Sequence, residues 1–344
     1  MTMSRRTLLR IGGLATLGAA SPPPAWARRI RVLEDTPESP SGIPAGHFPD
    51  LHRAVIGLRV GQSSQHGALG VFWLHGTQPA PPLAVATLEE ARAAGSLVIL
   101  ERDQATVPTL TVDNRGKGHA LLLAGEILVG GKQNRVLRED ILLPPLSGAR
   151  SVGVYCVEQG RWNEGRRDFE SKSSFAQPGL RREVYDKADQ GRVWSEVQRS
   201  TAAAAAPSPT TSYQQVYEQP AVRDHLAEAE RAVDARAAAG ALGAAVFVGS
   251  TFTGLDFFRD PGLFGRQWRK LFRAHAVEAY SRPSAPAPEA KLRPQVHALL
   301  SGLAGVPGTL RGNAGVGQIF EFRLERYRGA ALGYEGGIVH AAVL

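Results

Sequence analysis

The chain has 344 residues, with 40 Lys and Arg against 32 Asp and Glu and a formal charge of +8 at neutral pH. Its basic residues are mostly Arg scattered among acids, whereas a nucleic-acid binder concentrates them on one helix or stripe with aromatics interleaved, so no nucleic-acid partner is expected. The single cysteine, Cys156, excludes an internal disulfide and leaves stability to burial, for which the length is ample.

The first residues carry Ser4-Arg5-Arg6-Thr7-Leu8-Leu9, then a mild apolar run from Ile11 to Ala20, then the small-x-small signature Ala25-Trp26-Ala27. The run is too short to span a bilayer and is rich in Gly and Ala, which suits a twin-arginine signal over residues 1–27 cleaved after Ala27. The expected product is periplasmic or secreted, with the twin-arginine export machinery as its first partner. Loss of Arg5, Arg6 and Arg10 lowers the formal charge from +8 to +5. No later stretch is apolar enough for a stable membrane span in the mature chain. Residues 28–47, with Pro37, Pro40 and Pro44, read as a flexible lead, and ordered sequence is expected from about Phe48.

Leu51 to Val60 and Ala68 to Leu74 have strand-like apolar content, separated by a turn at Gly61-Gln62-Ser63-Ser64. Thr87 and Glu90 form a capping box for a short helix stopped by Gly95, and a strand from Leu97 to Arg102 follows. Short strands are predicted at Thr109 to Val112, His119 to Ala124, Asn134 to Leu137 and Val152 to Val157. Such spacing argues for an antiparallel sheet or sandwich rather than a dinucleotide-binding βαβ fold. The tract 201–210 reads as a linker-like loop. A helix from Ala221 to Ala239 precedes a hairpin, Ala244 to Val248 with Thr251 to Leu255. Asp260 and Pro261 open another helix, whose buried face carries Phe264, Trp268, Leu271, Phe272 and His275; the histidine reads as packed core rather than a ligand. A Pro-rich break at Pro283 to Pro288 leads into one more helix. Near the end, Phe320, Phe322 and Leu324 alternate with Glu321, Arg323 and Glu325, and Glu335-Gly336-Gly337 turns a last hairpin. The expected fold is α+β: an antiparallel β-rich first half with a helix-containing second half packed into the same domain.

Gly125-Glu126-Ile127-Leu128-Val129-Gly130-Gly131-Lys132-Gln133-Asn134-Arg135, followed by Cys156-Val157-Glu158-Gln159-Gly160-Arg161-Trp162, resembles the domain family named for its association with ADP-ribosylglycohydrolases and rhodanese-phosphatase-superfamily proteins. The resemblance continues through Leu180-Arg181, Val193-Trp194, Gly254-Leu255-Asp256-Phe257-Phe258 and Val339-His340. It implies one domain over 48–344 and a link to NAD and ADP-ribose metabolism drawn from genomic neighbourhood. It implies no particular reaction or cofactor, so both are left unknown.

Glu126 and Glu158 are candidate catalytic carboxylates, each near the end of an apolar strand and beside glycine. They act as acid and base if burial pushes their pKa values apart, or else satisfy neighbouring arginines and loop amides. Lys132, Gln133, Asn134 and Arg135 with Gln159, Arg161 and Trp162 are the candidate ligand-binding set, suited to a carboxylate, phosphate or planar ring; turn closure and surface pairing are the alternative. Cys156 shares an apolar strand with Val152 and Val154 and reads as a buried thiol. His66, His75, His119 and His340 show no metal-ligand spacing, and Gly312 to Gly317 reads as a turn, so no metal site is expected. Two functions follow as expectations. One is binding or hydrolysis of a phosphorylated or nucleotide-like anionic small molecule; the other is a non-catalytic exported domain that binds a protein or envelope component.

Overall fold

The computed structural model describes residues 46–344 other than 79, 103–107, 163–166 and 234–237. The expected export signal over 1–27 and the lead up to residue 45 lie outside the described residues. In chain order the elements are β1 (Gly46–His47), α1 (Pro49–Ile56), β2 (Leu58–His66), β3 (Leu69–Gly76), β4 (Val85–Thr87), α2 (Leu88–Ala93), β5 (Leu97–Glu101), β6 (Thr109–Asn114), β7 (His119–Leu122), β8 (Glu126–Gly130), β9 (Arg135–Leu137), β10 (Ile141–Leu143), β11 (Ala149–Cys156) and β12 (Phe169–Phe175). The helix-containing half follows with α3 (Pro178–Tyr185), α4 (Gln190–Ala203), α5 (Gln214–Glu218), α6 (Pro220–Ala232), β13 (Gly243–Val248), β14 (Thr251–Phe258), α7 (Pro261–Ser281), α8 (Glu289–Ala304), β15 (Pro307–Arg311), β16 (Gln318–Leu324), β17 (Tyr327–Tyr334) and β18 (Gly337–Val343). The fold is α+β, and every paired strand is antiparallel to its neighbour except β4 on β7.

Nine strands form one sheet in the order β1-β15-β16-β17-β18-β14-β13-β3-β2, so the β13–β14 hairpin lies in its middle, between β3 from early in the chain and β18 from its end. Side chains alternate across it: Val71 and Trp73 join the core under α6 and α7, while Phe72 and Leu74 join the core under α1 and α8. The other six-stranded sheet runs β12-β8-β9-β11-β6-β5. A bridge from Leu100 to Asp168 joins its two edge strands, curling it into a small barrel filled by Leu97, Val112, Leu128, Val154 and Phe169. A three-stranded sheet, β10-β7-β4, lies alongside.

Three expectations are corrected. Leu51 to Ile56 is helix, not strand: Pro49 sits in its first turn, and Leu51, Ala54, Val55 and Leu58 are buried at i, i+3, i+4 and i+7, a helical period. Gly61 to Ser64 is no turn but the bulged middle of β2, where the register with β3 shifts between Val60 and Ser63. The tract 201–210 begins as the last turn of α4 and buries Ala204 and Ala206 in the core, so small apolar side chains there pack rather than link. The capping box of α2 is present on both sides, and Asp260 accepts the Leu263 amide at 2.8 Å at the start of α7. His275 on α7 is buried, with Nδ1 2.9 Å from the Thr253 hydroxyl, and burial pulls it down to about 4, which keeps it neutral. No helix among the described residues is long and apolar enough to cross a membrane.

Candidate functional site

The two glycine-containing motifs meet at one end of the barrel. Gly131 has φ +51°, and a Cβ there would come within 2.2 Å of the Phe169 ring and 2.8 Å of Glu101 Oε1, so only glycine lets the β8–β9 hairpin close against them. Arg161 reaches back across that hairpin: Nη1 donates to Gly131 O at 2.9 Å, Nη2 to Gly130 O at 3.1 Å and Asn134 Oδ1 at 3.0 Å, and Nε to Glu158 at 2.9 Å. Glu158 also accepts the Asn134 amide at 3.1 Å and the Thr210 hydroxyl at 2.7 Å. Burial opposes its ionisation, but these hydrogen bonds, led by Arg161, outweigh burial and hold Glu158 below the usual carboxylate range.

Behind this pair, the buried Arg135 guanidinium donates to Glu101 at 3.1 Å, to Gln133 Oε1 at 3.2 Å and to Cys156 Sγ at 3.0 Å. Burial pushes the Cys156 thiol up, against the pull of Arg135, so it stays protonated. Gln133 donates to Gln159 O at 3.2 Å, and Lys132 Nζ sits 4.9 Å from the ring centre of the half-exposed Trp162. The seven ligand-binding candidates and Glu158 therefore gather as expected, but as a packed hub whose polar groups hold one another and the backbone.

Glu126 stands apart, at the opposite end of β8 from this hub and, among the described residues, without a partner in common with Glu158. It bonds the buried Lys270 of α7 and accepts the Leu123 amide at 3.0 Å, while Lys270 also donates to Glu89 at 2.9 Å. Burial pushes Glu126 up to about 7 despite Lys270, whereas Lys270 outweighs burial at the partly exposed Glu89 and lowers it. The two candidate carboxylates thus do have pKa values driven apart, but the length of β8 from Glu126 to Gly130 at the hub, roughly 14 Å, stands between them, and they cannot flank one reacting bond.

A second convergence joins three of the short segments that carried the resemblance. Arg181 of α3 grips Asp256 of β14 with both nitrogens, at 2.9 and 2.5 Å. His340 of β18 lies between Asp256, 3.0 Å from Nε2, and Asp140, 2.6 Å from Nδ1, with Phe258 stacked on its ring. All four charged groups are buried. Burial alone would lower His340, but the two carboxylates outweigh it and push the imidazole up to about 9; Arg181 and His340 hold Asp256 well below the carboxylate range against its own burial. Both ring nitrogens donate, so the histidine is a buried cation rather than a base. Because its folded pKa lies above the ordinary 6.5, its stabilisation is full below about pH 6.5 and is lost as pH rises through about 9. That loss should be roughly 3 kcal/mol. Urea unfolding at pH 6.5 and 9.5 should show it in the native protein, and His340→Gln should flatten the difference.

Asp140 also forms part of the floor of a cleft of about 370 Å³. One wall is a sheet face set by strand parity: Thr309 and Arg311 of β15, Ile319, Glu321 and Arg323 of β16, and Arg328 and Ala330 of β17, in the register Thr309 to Glu321, Arg311 to Ile319 and Arg323 to Arg328. The end of α3 with Tyr185, Asp186 and Lys187 forms the second wall, and Arg138 and Glu139 the third. Arg311 bridges Glu139 and Glu321 at 2.6 and 2.7 Å, Lys187 meets Glu321 at 2.6 Å and Arg328 meets Asp186 at 2.6 Å. Among the described residues Arg138 and Arg323 enter no ion pair. The Tyr185 hydroxyl is buried and lacks a hydrogen-bond partner, and burial keeps it a neutral phenol.

None of the nine residues nominated from the sequence lines this cleft. Its signal was present in the alternation of Ile319 to Leu324, whose polar face reads in sequence as solvent-facing. Among the described residues no group of three or more His, Cys, Asp or Glu is arranged to hold a metal. No curated protein and no solved structure matches the chain. Residues 57–344 match the model of one domain family. With that match covering the barrel, every strand of the large sheet but β1 and both convergent networks, the chain belongs to the family of the ARG and Rhodanese-Phosphatase-superfamily-associated Protein domain, ARPP-1.

Proposed function

We propose that this is an exported domain that binds a small anionic molecule, phosphorylated or nucleotide-like, in the cleft between the β15–β17 face and the end of α3. The observation that carries the reading is the lining itself. Five cations from the three walls converge on one concavity of ligand size, with an apolar patch at Ile319 and Val184 and an unpartnered phenol beside them. Arginine forks suit phosphate and carboxylate oxygens, and an aromatic hydroxyl fixes orientation. Binding is favoured over hydrolysis because the buried carboxylates near the cleft are held by His340 and Arg181, and Glu126 and Glu158 lie elsewhere.

The test is a thermal-shift screen of the full-length protein against ADP-ribose, NAD, sugar phosphates and dicarboxylates. A cognate ligand at about one hundred times its Kd should add about 2.7 kcal/mol to the folded state and raise the melting temperature accordingly. Arg311→Gln should abolish that gain, and Arg161→Gln should lower the unliganded melting temperature while leaving the gain in place. A gain that instead disappears with Arg161→Gln alone would move the site to the motif hub, and binding of a protein in place of every small molecule would favour an interaction domain.

A further inference from the structure

We infer that the ligand of this cleft carries two negative charges; the inference rests on the cleft being the binding site. The charge balance of the lining is the reason. Asp140 is neutralised from below by His340, and Asp256 behind it by Arg181, so the buried network contributes no net charge to the cavity. Above it stand five Arg and Lys side chains and three further carboxylates, Glu139, Asp186 and Glu321, a surplus of two cations. The ion pairs lead to the same two residues. Arg311, Lys187 and Arg328 are bonded to those three carboxylates, and Arg138 and Arg323 remain without an ionic partner among the described residues.

These two come from different parts of the fold. Arg138 follows β9 of the barrel and is half-buried, and Arg323 lies on β16 of the large sheet. Like charges brought to one cleft repel, and a bound dianion turns that repulsion into two charge-assisted contacts. A monoanion satisfies only one of them. A phosphomonoester, a pyrophosphate diester and a dicarboxylate all present the required charge, and they differ in titration: the pyrophosphate diester stays ionised, the monoester gains a proton near pH 6 and a short dicarboxylate at somewhat lower pH.

Calorimetry on the full-length protein decides between them, using ribose 5-phosphate against its methyl phosphodiester, succinate against its monoamide, and ADP-ribose. The dianion of each pair should bind at least about tenfold tighter than the matched monoanion. Arg323→Gln, on an exposed strand position, should reduce that preference to about onefold with an unchanged unfolding midpoint; Arg138→Gln should reduce the preference likewise and lower the midpoint somewhat, because the guanidinium also stacks on Tyr155, 4.6 Å from its ring centre. If the monoester is the native class, its affinity should fall about threefold between pH 7.5 and 5.5, while succinate should fall less and a pyrophosphate diester should hold steady. Equal affinity for monoanions and dianions, or a preference that survives both substitutions, overturns the charge rule and leaves the cleft as a binding site. No binding of any anion overturns the site assignment itself.

Discussion

Arg181→Ala is expected to destabilise the fold by about 3–5 kcal/mol, because it leaves Asp256 buried without the guanidinium that holds it ionised. The cost does not reduce to one lost bond. Asp256 shares His340 with Asp140, and the Asp140 carboxylate accepts the Ala124 amide at 2.9 Å, so α3, β14, β18 and the turn before β8 are tied through one chain of charges. Asp256→Asn in the same background removes the stranded charge and should recover part of the loss. Denaturant unfolding of the single and double variants measures the coupling; a single variant within about 1 kcal/mol of the native protein would show that the network contributes little.

Lys270→Met should cost about 3 kcal/mol near pH 9, since Glu126 is then left buried with no cation at hand and must take up a proton to stay there. Here the effect depends on pH. Burial already pushes Glu126 up to about 7, and without Lys270 its folded pKa rises further above the unfolded value. A carboxyl whose folded pKa is raised loses stability as pH climbs from its unfolded value to its folded one; native Glu126 reaches that point at about 7 and the variant's only above it, so the penalty should be small towards pH 4.5 and grow from about pH 7 upward. Adding Glu126→Gln should restore most of the stability at pH 9. If the single variant costs the same at both pH values, the penalty is a packing effect of the shorter, apolar side chain rather than a stranded charge.

How far the sequence reaches is visible in particular elements. The capping box at Thr87, the Asp260-Pro261 helix start and the hairpin at Gly249-Ser250 are local devices, decided by residues within four positions of one another, and they stand as read. Leu51 to Ile56 misled because its composition suits a strand while its spacing suits a helix, and period outweighs content once Pro49 fixes the first turn. The family-like segments at Arg181, Asp256 and His340 were legible as separate pieces, and nothing in their spacing announces that they meet in one buried network with Asp140.

The sequence by itself determined which segments are helix and strand wherever a local pattern dominates, and which polar residues are dense enough to deserve suspicion. Only the tertiary structure decided which of those residues are spent and which are free. Arg161 was a reasonable ligand clamp until Gly130, Gly131, Asn134 and Glu158, the first three about thirty residues away in sequence, were found to take up its donors. Arg323 was an ordinary outward residue of an alternating strand until β15, β17 and the end of α3 walled in its face. Strand parity fixes the side a residue points to, but the partner on that side comes from elsewhere in the chain, and the energetic fate of a charge depends on that partner.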